Sequence, residues 1–278
     1  MILIDNNQLL IANIFNLIKY GDIEDTGLLR HMCLNTYRIY NHKFKQDYGD
    51  IIICHDSPHC WRAESFKHYK KNRKKAKQES PHDWNKIFDS MMIIKSEVES
   101  VFPWKNISVP RTEADDIIAI ICKHSLPIEP VVIVSSDKDF QQLQKYSNVK
   151  QWSPNKKDFL TCDNSEEYLK EHIIRGDSSD GVPNILSEED TFVNEDKRQK
   201  PMTKKKMAEI KDNFETYKKT DRWNQNKTLI DFEEIPEEIE KDIMEEYNKP
   251  YNKETNKIFP YLMEHKLVQL LETAEELY

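Results

Sequence analysis

Residues 131–140, "VVIVSSDKDF", decide how this chain is to be read. Four aliphatic β-branched residues form a run suited to a strand buried on both faces, and the run ends in Asp137 and Asp139. Two more short apolar runs behave the same way: "MILID" (1–5) ends at Asp5 and "DIIICHD" (50–56) ends at Asp56. Helix-period segments separate the runs: "QLLIANIFNLI" (8–18), "LLRHMCLNTYRIY" (28–40), "WNKIFDSMMIIKSEVESVF" (84–102) and "EADDIIAIICKHS" (113–125). Strands alternating with helices predict an α/β fold with a mostly parallel central sheet flanked by helices. Beyond about residue 160 helical patterns take over, at 165–176, 204–219, 236–247 and 258–277. The expected division is therefore an α/β core over 1–160 and a mostly helical C-terminal domain over 161–278, with a long mobile loop around 186–206.

Composition sets limits. The 278 residues are 38% hydrophobic and 32% charged, which suits a soluble enzyme with a real core. The apolar runs are too short to cross a bilayer, and the chain opens without a basic and then hydrophobic signal, so a soluble protein is expected. Five scattered cysteines with no Cys-x-x-Cys pair read as reduced thiols and argue against zinc or a disulfide framework. Net charge is −8, yet "KHYKKNRKKAK" (67–77) and "KRQKPMTKKK" (197–206) are dense blocks of base. Charge has been segregated, and the first block interleaves Trp61, Phe66 and Tyr69 with its cations. Cations follow phosphates and aromatic faces stack on bases, so nucleic acid is favoured over a merely solvated helix face.

Acidic residues converge on one edge. Carboxyl ends of parallel strands share the side of the sheet where ligands bind, and Asp5, Asp56, Asp137 and Asp139 all lie there. "TEADDII" (112–118) adds Glu113, Asp115 and Asp116 at a helix start, and "GDSSDG" (176–181) adds Asp177 and Asp180. Singly these have simpler readings. Thr112 with Asp115 resembles a helix cap with an acid at its third position, and a strand-end aspartate is commonly a turn former. Together they call for cations, since two carboxylates 4 Å apart repel by roughly 4 kcal/mol at an effective dielectric of 20. Oxygen donors with no His or Cys at ligand spacing select Mg2+, with Mn2+ as substitute, over zinc. Two such ions are what phosphodiester hydrolysis uses.

These residues, in this order, resemble the flap endonuclease-like 5′-nuclease superfamily, and most closely its T-even-type bacteriophage members, which are 5′ to 3′ exonucleases. The likeness spans nearly the whole chain: "LIDN" (3–6), "CHDSPHCWR" (54–62), "YKKNR" (69–73), "EADD" (113–116), "SSDKDFQQL" (135–143), "VKQWSP" (149–154), "GDSSDGV" (176–182) and "LIDFEEIPEEI" (229–239). It implies a PIN-like core with a helical arch around 57–82. It implies a first metal site of Asp5, Asp56, Glu113 and Asp115 or Asp116, with Asp137 close by, and a second of Asp139, Asp177 and Asp180. Lys70 and Arg73 match arch residues that reach the scissile phosphate. Tyr69 matches an aromatic packing on the terminal nucleotide, Lys71 lies in the same run, and Arg62 matches an arginine at the arch entry. The implied activity is cleavage at 5′ ends of RNA-DNA and DNA duplexes and at 5′ flaps, as in removing lagging-strand primers. It would take place in the cytoplasm of an infected bacterium, by a monomer.

The chain departs from the wider family after "GDSSDG", where "VPNILSEED" (182–190) lacks the glycine-rich hairpin that grips duplex phosphates. Lys204, Lys205 and Lys206 are the expected replacement contacts. A phage single-stranded DNA-binding protein is a partner implied by resemblance alone, and a sliding clamp is a further candidate although no clamp-binding tail is legible. The competing readings are a PIN-like endoribonuclease, which would lack the Asp177/Asp180 pair, and a non-catalytic binder of branched DNA. A phospho-receiver domain also gathers strand-end aspartates but needs far less chain and no basic arch.

Overall fold

The computed structural model describes residues 1–20 and 26–278, with the side chain of residue 20 left aside. Its centre is a six-stranded sheet built from β1 (Ile2–Asp5), β2 (Ile51–His55), β3 (Lys105–Ser108), β4 (Val131–Val134), β5 (Val149–Ser153) and β6 (Asp158–Leu160). Strand order is β3-β2-β1-β4-β5-β6, parallel throughout except for the antiparallel β6 at one edge. Order reverses between β1 and β4, and the crevice above such a reversal is where open parallel sheets hold ligands. Asp5 ends β1 and Asp137 follows β4, so the two flank that point.

Helices cover both faces. Ile2, Ile4, Ile51, Ile53, Val132 and Val134 face α1 (Asn6–Tyr20), α2 (Thr26–Tyr48) and, beyond two short helices of the arch, α3 (Trp61–Ser65) and α4 (Lys71–Glu79), the long α5 (Trp84–Val101). Leu3, Ile52, Cys54, Val131 and Ile133 face α6 (Ala114–His124) and the 3-10 turn Asp139–Lys145. Alternate residues of each strand thus enter opposite cores, which is why the runs are apolar without interruption. A third, smaller core joins Phe66 and Tyr69 to α7 (Ser165–Arg175), α8 (Lys204–Asp212) and, past the short α9 (Phe214–Tyr217), α10 (Asp221–Ile230).

Helices late in the chain return to the sheet. Ile239 and Ile243 of α11 (Glu237–Asn248) join the α6 core, while Ile258, Tyr261 and Leu262 of α12 (Ile258–Glu264) join the α1/α2 core. Asn41 Nδ2 donates to the Glu276 carbonyl at 2.9 Å, stapling the last residues onto α2. The pattern over 258–277, which reads as one amphipathic helix, is in fact broken: Lys266 takes φ 54 and the chain restarts as α13 (Val268–Leu271) and a 3-10 turn. The irregular stretch before α8 carries bonds of its own. Asn184 donates across it twice, from its amide to Gln199 Oε1 and from Nδ2 to the Lys200 carbonyl, and Lys197 pairs with Glu188 and Asp190. Among the described residues no helix is long and apolar enough to cross a membrane.

Candidate active site

The apolar runs stop where the sheet meets solvent, and each stop delivers a carboxylate. Asp5 Oδ1 accepts from the Gln8 amide at 3.2 Å and Oδ2 from Ser135 Oγ at 3.2 Å. Asp56 Oδ1 accepts from the Ala114 amide at 2.8 Å and Oδ2 from Asn7 Nδ2. Beneath them runs a buried polar chain. Tyr37 donates to Asn6 Oδ1, Asn6 Nδ2 lies 3.1 Å from His55 Nδ1, and His55 Nε2 lies 2.9 Å from Asn106 Oδ1. Burial pushes His55 down to about 4, so it is neutral, with Nδ1 accepting from Asn6 and Nε2 donating to Asn106. Asn6 and His55 adjoin Asp5 and Asp56 in sequence, so this chain fixes the backbone that carries both acids.

α6 opens with a capping box displaced one residue from the expected Thr112/Asp115 pair. Glu113 is the cap, and Asp116 Oδ2 accepts from the Glu113 amide at 2.9 Å. That separates the two neighbouring aspartates. Asp116 is fully buried, with Oδ1 2.7 Å from Arg62 Nη1 and Oδ2 3.3 Å from Trp61 Nε1. Asp115 takes no part in the box and lies in the field of Glu113 and Lys70; burial and Glu113 push its carboxyl far above the usual range. Glu113 itself goes the other way. Burial works against its ionisation, but Lys70, Arg62 and the Tyr69 hydroxyl outweigh it, and its carboxyl is held low.

The arch folds down onto these acids. Lys70 Nζ is 2.5 Å from Glu113 Oε1 and 3.5 Å from Asp180 Oδ2, and Arg73 pairs with Asp180 Oδ1. Lys70 adopts φ 54, a left-handed backbone that costs a side-chain-bearing residue on the order of 1 kcal/mol. The surrounding bonds impose it: the Lys70 amide donates to the Asp180 carbonyl at 2.8 Å and Asn72 Nδ2 to the Ser178 carbonyl at 2.8 Å. Two glycines make the turn beneath possible. At Gly176 (φ 65) a Cβ would come within 2.4 Å of the Val182 carbonyl oxygen, and at Gly181 (φ 75) within 3.1 Å of the His68 carbonyl oxygen.

Asp177 and Asp180 sit in that turn. Asp177 Oδ1 accepts from the Ser179 amide and hydroxyl, each at 2.7 Å. Its Oδ2 lies 3.5 Å from His172 Nε2, and His172 Nδ1 lies 3.4 Å from Asp139 Oδ1. Burial opposes Asp177's ionisation, yet His172 and Ser179 hold its carboxyl far below the usual range. Burial, against His172, pushes Asp139 up to about 7; burial with Asp56 and Asp137 nearby does the same to Asp5. Asp137 is exposed, with Oδ1 accepting from the Asp139 amide at 3.0 Å.

Asp5, Asp56, Glu113, Asp115, Asp137, Asp139, Asp177 and Asp180 therefore share one cleft, linked pairwise by their effect on one another, while Asp116 is turned into the interior. Two expectations are corrected. Arg62 is 2% exposed, its Nε donating to the Leu229 carbonyl at 2.9 Å, so it braces α6 against α10 and does not face nucleic acid. Tyr69 is 7% exposed, its ring in the third core and its hydroxyl donating to Glu113 at 2.7 Å and 3.0 Å from Asp180, so no ring face is offered for stacking. Lys71, Lys204 and Lys205 are exposed, and Lys206 Nζ lies 2.7 Å from Glu209. His172 was missed. The expectation that no His lies at ligand spacing fails because its ring nitrogens and the oxygens of Asp139 and Asp177 offer a set of atoms within 4.8 Å of one another. The available signal was "HIIRGD", one helical turn and a glycine before the turn aspartate.

Comparison with known proteins gives the family of the chain. Residues 1–173 match the family described as 5′-3′ exonuclease, N-terminal resolvase-like domain, and residues 164–277 match T4 RNase H, C terminal. The chain is 32% identical to the ribonuclease H of Enterobacteria phage T4 over 290 aligned positions, covering 99% of this chain and 94% of that one. It is 29% identical over 155 residues to the flap endonuclease Xni of Shewanella piezotolerans, covering 51% of this chain and 56% of that one. Among solved structures, the 5′-exonuclease of phage T5 with zinc bound superposes with a TM-score of 0.62 at 15% identity, covering 88% of this chain and 98% of that one. The T5 flap endonuclease in a pseudo-enzyme-product complex with DNA and metal ions gives 0.60 at 15% identity, covering 89% and 99%. These two structures attest the fold. A sequence match running the length of the chain, with both halves accounted for, excludes the shorter PIN-like and receiver readings, and the chain belongs to the 5′-3′ exonuclease family.

Proposed function

We propose that the chain is a divalent-metal-dependent 5′ to 3′ nuclease that hydrolyses phosphodiesters at the 5′ ends of RNA-DNA and DNA duplexes and at 5′ flaps. The observation that carries the reading is one cleft in which carboxylates from β1, β2, α6, the turn after β4 and the turn after α7 face Lys70 and Arg73. Asp5, Asp56, Glu113 and Asp115 would hold one cation with Asp137 beside it, and Asp139, Asp177 and Asp180 the other. Oxygen donors suit Mg2+, with Mn2+ as substitute. Bound there, such ions supply a water acidic enough to attack at neutral pH and offset charge on the leaving oxygen.

The chain's own residues do the rest. The strand ends and the buried Asn6/His55 chain hold Asp5 and Asp56 in a fixed frame, so little reorganisation accompanies the reaction. Lys70 and Arg73, which pair with Glu113 and Asp180 at the rim of the cleft, would be placed to meet the phosphoryl oxygens of a substrate whose cations those acids held. Lys204, Lys205 and Lys206 lead α8, where cations oppose the helix dipole; that unfavourable placement supports a role in gripping duplex phosphates. Products would carry 5′ phosphates. The biological setting we propose is primer removal during phage replication in the bacterial cytoplasm, with a single-stranded DNA-binding protein and a sliding clamp as partners to add.

The test is product analysis on a duplex bearing a 5′ RNA primer and, separately, a 5′ DNA flap, each labelled at both ends, with Mg2+ or EDTA. Mg2+-dependent release of short 5′ fragments ending in 5′ phosphate is the expected result. Binding without cleavage of either substrate overturns the reading in favour of a non-catalytic binder.

A further inference from the structure

The donor set of the turn group contains one atom that oxygen chemistry does not explain. His172 Nδ1 is sequestered from solvent and has no hydrogen-bond partner, although it lies 3.4 Å from Asp139 Oδ1. The other ring nitrogen, Nε2, faces Asp177 Oδ2 at 3.5 Å, and Asp177 is itself anchored by the Ser179 amide and hydroxyl. An Nδ1–H there would be a buried donor with no well-aligned acceptor, which costs about 1–3 kcal/mol. An Nδ1 lone pair there would face a carboxylate oxygen, and two lone-pair donors at that separation repel unless a cation lies between them. The atom is orphaned by geometry, in a cleft whose other members are hard anionic donors.

An imidazole whose far nitrogen is held by a carboxylate is the arrangement that orients histidine as a metal ligand, because the carboxylate fixes the ring and makes the free nitrogen more basic. Asp139, His172 and Asp177 are brought together from three elements: the 3-10 turn after β4, the last turn of α7, and the Gly176–Gly181 turn. α7 also packs directly on the 3-10 turn, which holds the backbone of His172 beside that of Asp139.

We infer that His172 is a nitrogen ligand, through Nδ1, of the cation that Asp139 holds, so that this second site is a mixed nitrogen and oxygen site rather than an all-carboxylate one. The inference rests on the metal-dependent reading above and deepens it. Its chemical consequence is selectivity. Imidazole adds little for Mg2+ but favours Mn2+ and later first-row divalent ions, so the two sites of one protein differ in which ion they take. The sheet-edge site, all oxygen, stays a Mg2+ site; the turn site takes Mn2+ in preference.

The experiment uses the full chain without nucleic acid. Mn2+ is titrated and counted by electron paramagnetic resonance, and electron spin-echo modulation is recorded on the loaded protein, on protein carrying 15N-labelled histidine, and on His172→Gln. The expected result is modulation from an imidazole nitrogen in the wild type that changes on histidine labelling and disappears in His172→Gln. Mn2+ affinity at one site should fall about tenfold to a hundredfold in that variant while Mg2+ affinity, read by competition, stays within a few-fold. If His172→Gln fails to fold, the labelled wild-type protein decides alone. A full Mn2+ load with no nitrogen modulation overturns the inference, leaving His172 as an ion-pair partner and the metal-dependent reading intact. No Mn2+ bound at all overturns both.

Discussion

Asp5 and Asp177 are both aspartates in the same cleft, yet the chain treats them in opposite ways. Asp5 ends a strand, is held by the Gln8 amide and the Ser135 hydroxyl, and is pushed up to about 7 by burial and by its acidic neighbours. Asp177 sits in a glycine turn, is held by Ser179 and His172, and is pulled far below the ordinary range against the effect of burial. The sheet edge stores unrelieved charge on a rigid frame. The turn relieves its charge internally and depends on that relief for its shape.

The bridge between the two regions gives the largest expected effect. Arg62 lies between Asp116 of α6 and the Leu229 carbonyl of α10, and Arg62→Ala leaves a buried carboxylate unpaired. A drop of about 3–5 kcal/mol is expected in urea unfolding. A drop under 1 kcal/mol would mean that the two regions are not joined there.

Catalysis comes next. Asp5→Asn and Lys70→Ala should each lower single-turnover cleavage by roughly a hundredfold to a thousandfold while substrate binding, read by anisotropy in Ca2+, changes only a few-fold. Cleavage by Lys70→Ala at near the parent rate would remove Lys70 from the chemistry.

Stability without metal should then split the pair by sign. A carboxyl raised from 3.8 to about 7 binds more protons folded than unfolded between those values, so it destabilises increasingly as pH rises through that window and fully above it. Asp5→Asn removes this, and in EDTA at pH 8 the variant should exceed the parent by on the order of 1–4 kcal/mol, converging with it near pH 4. Asp177 is the reverse case: its depressed value contributes stability above the ordinary carboxylate range that is lost on acidification. Asp177→Asn should therefore destabilise at pH 7, by about 1–3 kcal/mol. Two shifts of the same sign would collapse the contrast.

The smallest effect lies outside the cleft. Changing Lys204, Lys205 and Lys206 to Glu should weaken duplex binding and flatten its salt dependence by about one unit of slope for each phosphate that is no longer neutralised. An unchanged slope would remove α8 from the duplex path.

The strand-end acids were legible in the sequence because burial on both faces leaves an apolar run with a sharp end, as in "VVIVSSD" and "DIIICHD". β3 and β5 were not, because "KNIS" and "VKQWS" mix polar residues whose partners lie far away in the chain. Lys105 Nζ reaches the Lys249 carbonyl at 2.5 Å, and Gln151 Nε2 reaches the Ser135 carbonyl at 3.0 Å. α10 was missed for the same reason, since "DRWNQNK" buries Asn226 to donate to the Ile173 and Pro183 carbonyls. Basic residues misled where their acceptors were distant. Nothing adjacent to Arg62 in sequence announces that Asp116 and Leu229 will enclose it, and Tyr69 owes its burial to helices a hundred residues onward. Pairing local in sequence can be read from pattern, whereas pairing across the fold emerges only in three dimensions.

The capping box of α6 has one more consequence. The Glu113 amide is closed by Asp116 Oδ2 and the Ala114 amide by Asp56 Oδ1, so the first turn of the helix is fastened at one point by a buried structural acid and at the next by an acid of the cleft. Adjacent amides therefore report different things. Deuterium uptake at Ala114 should respond to whatever engages Asp56, while uptake at Glu113 follows only the opening of the helix. One peptide spanning both carries its own internal reference, and occupancy of the cleft becomes readable in solution with no substrate turned over.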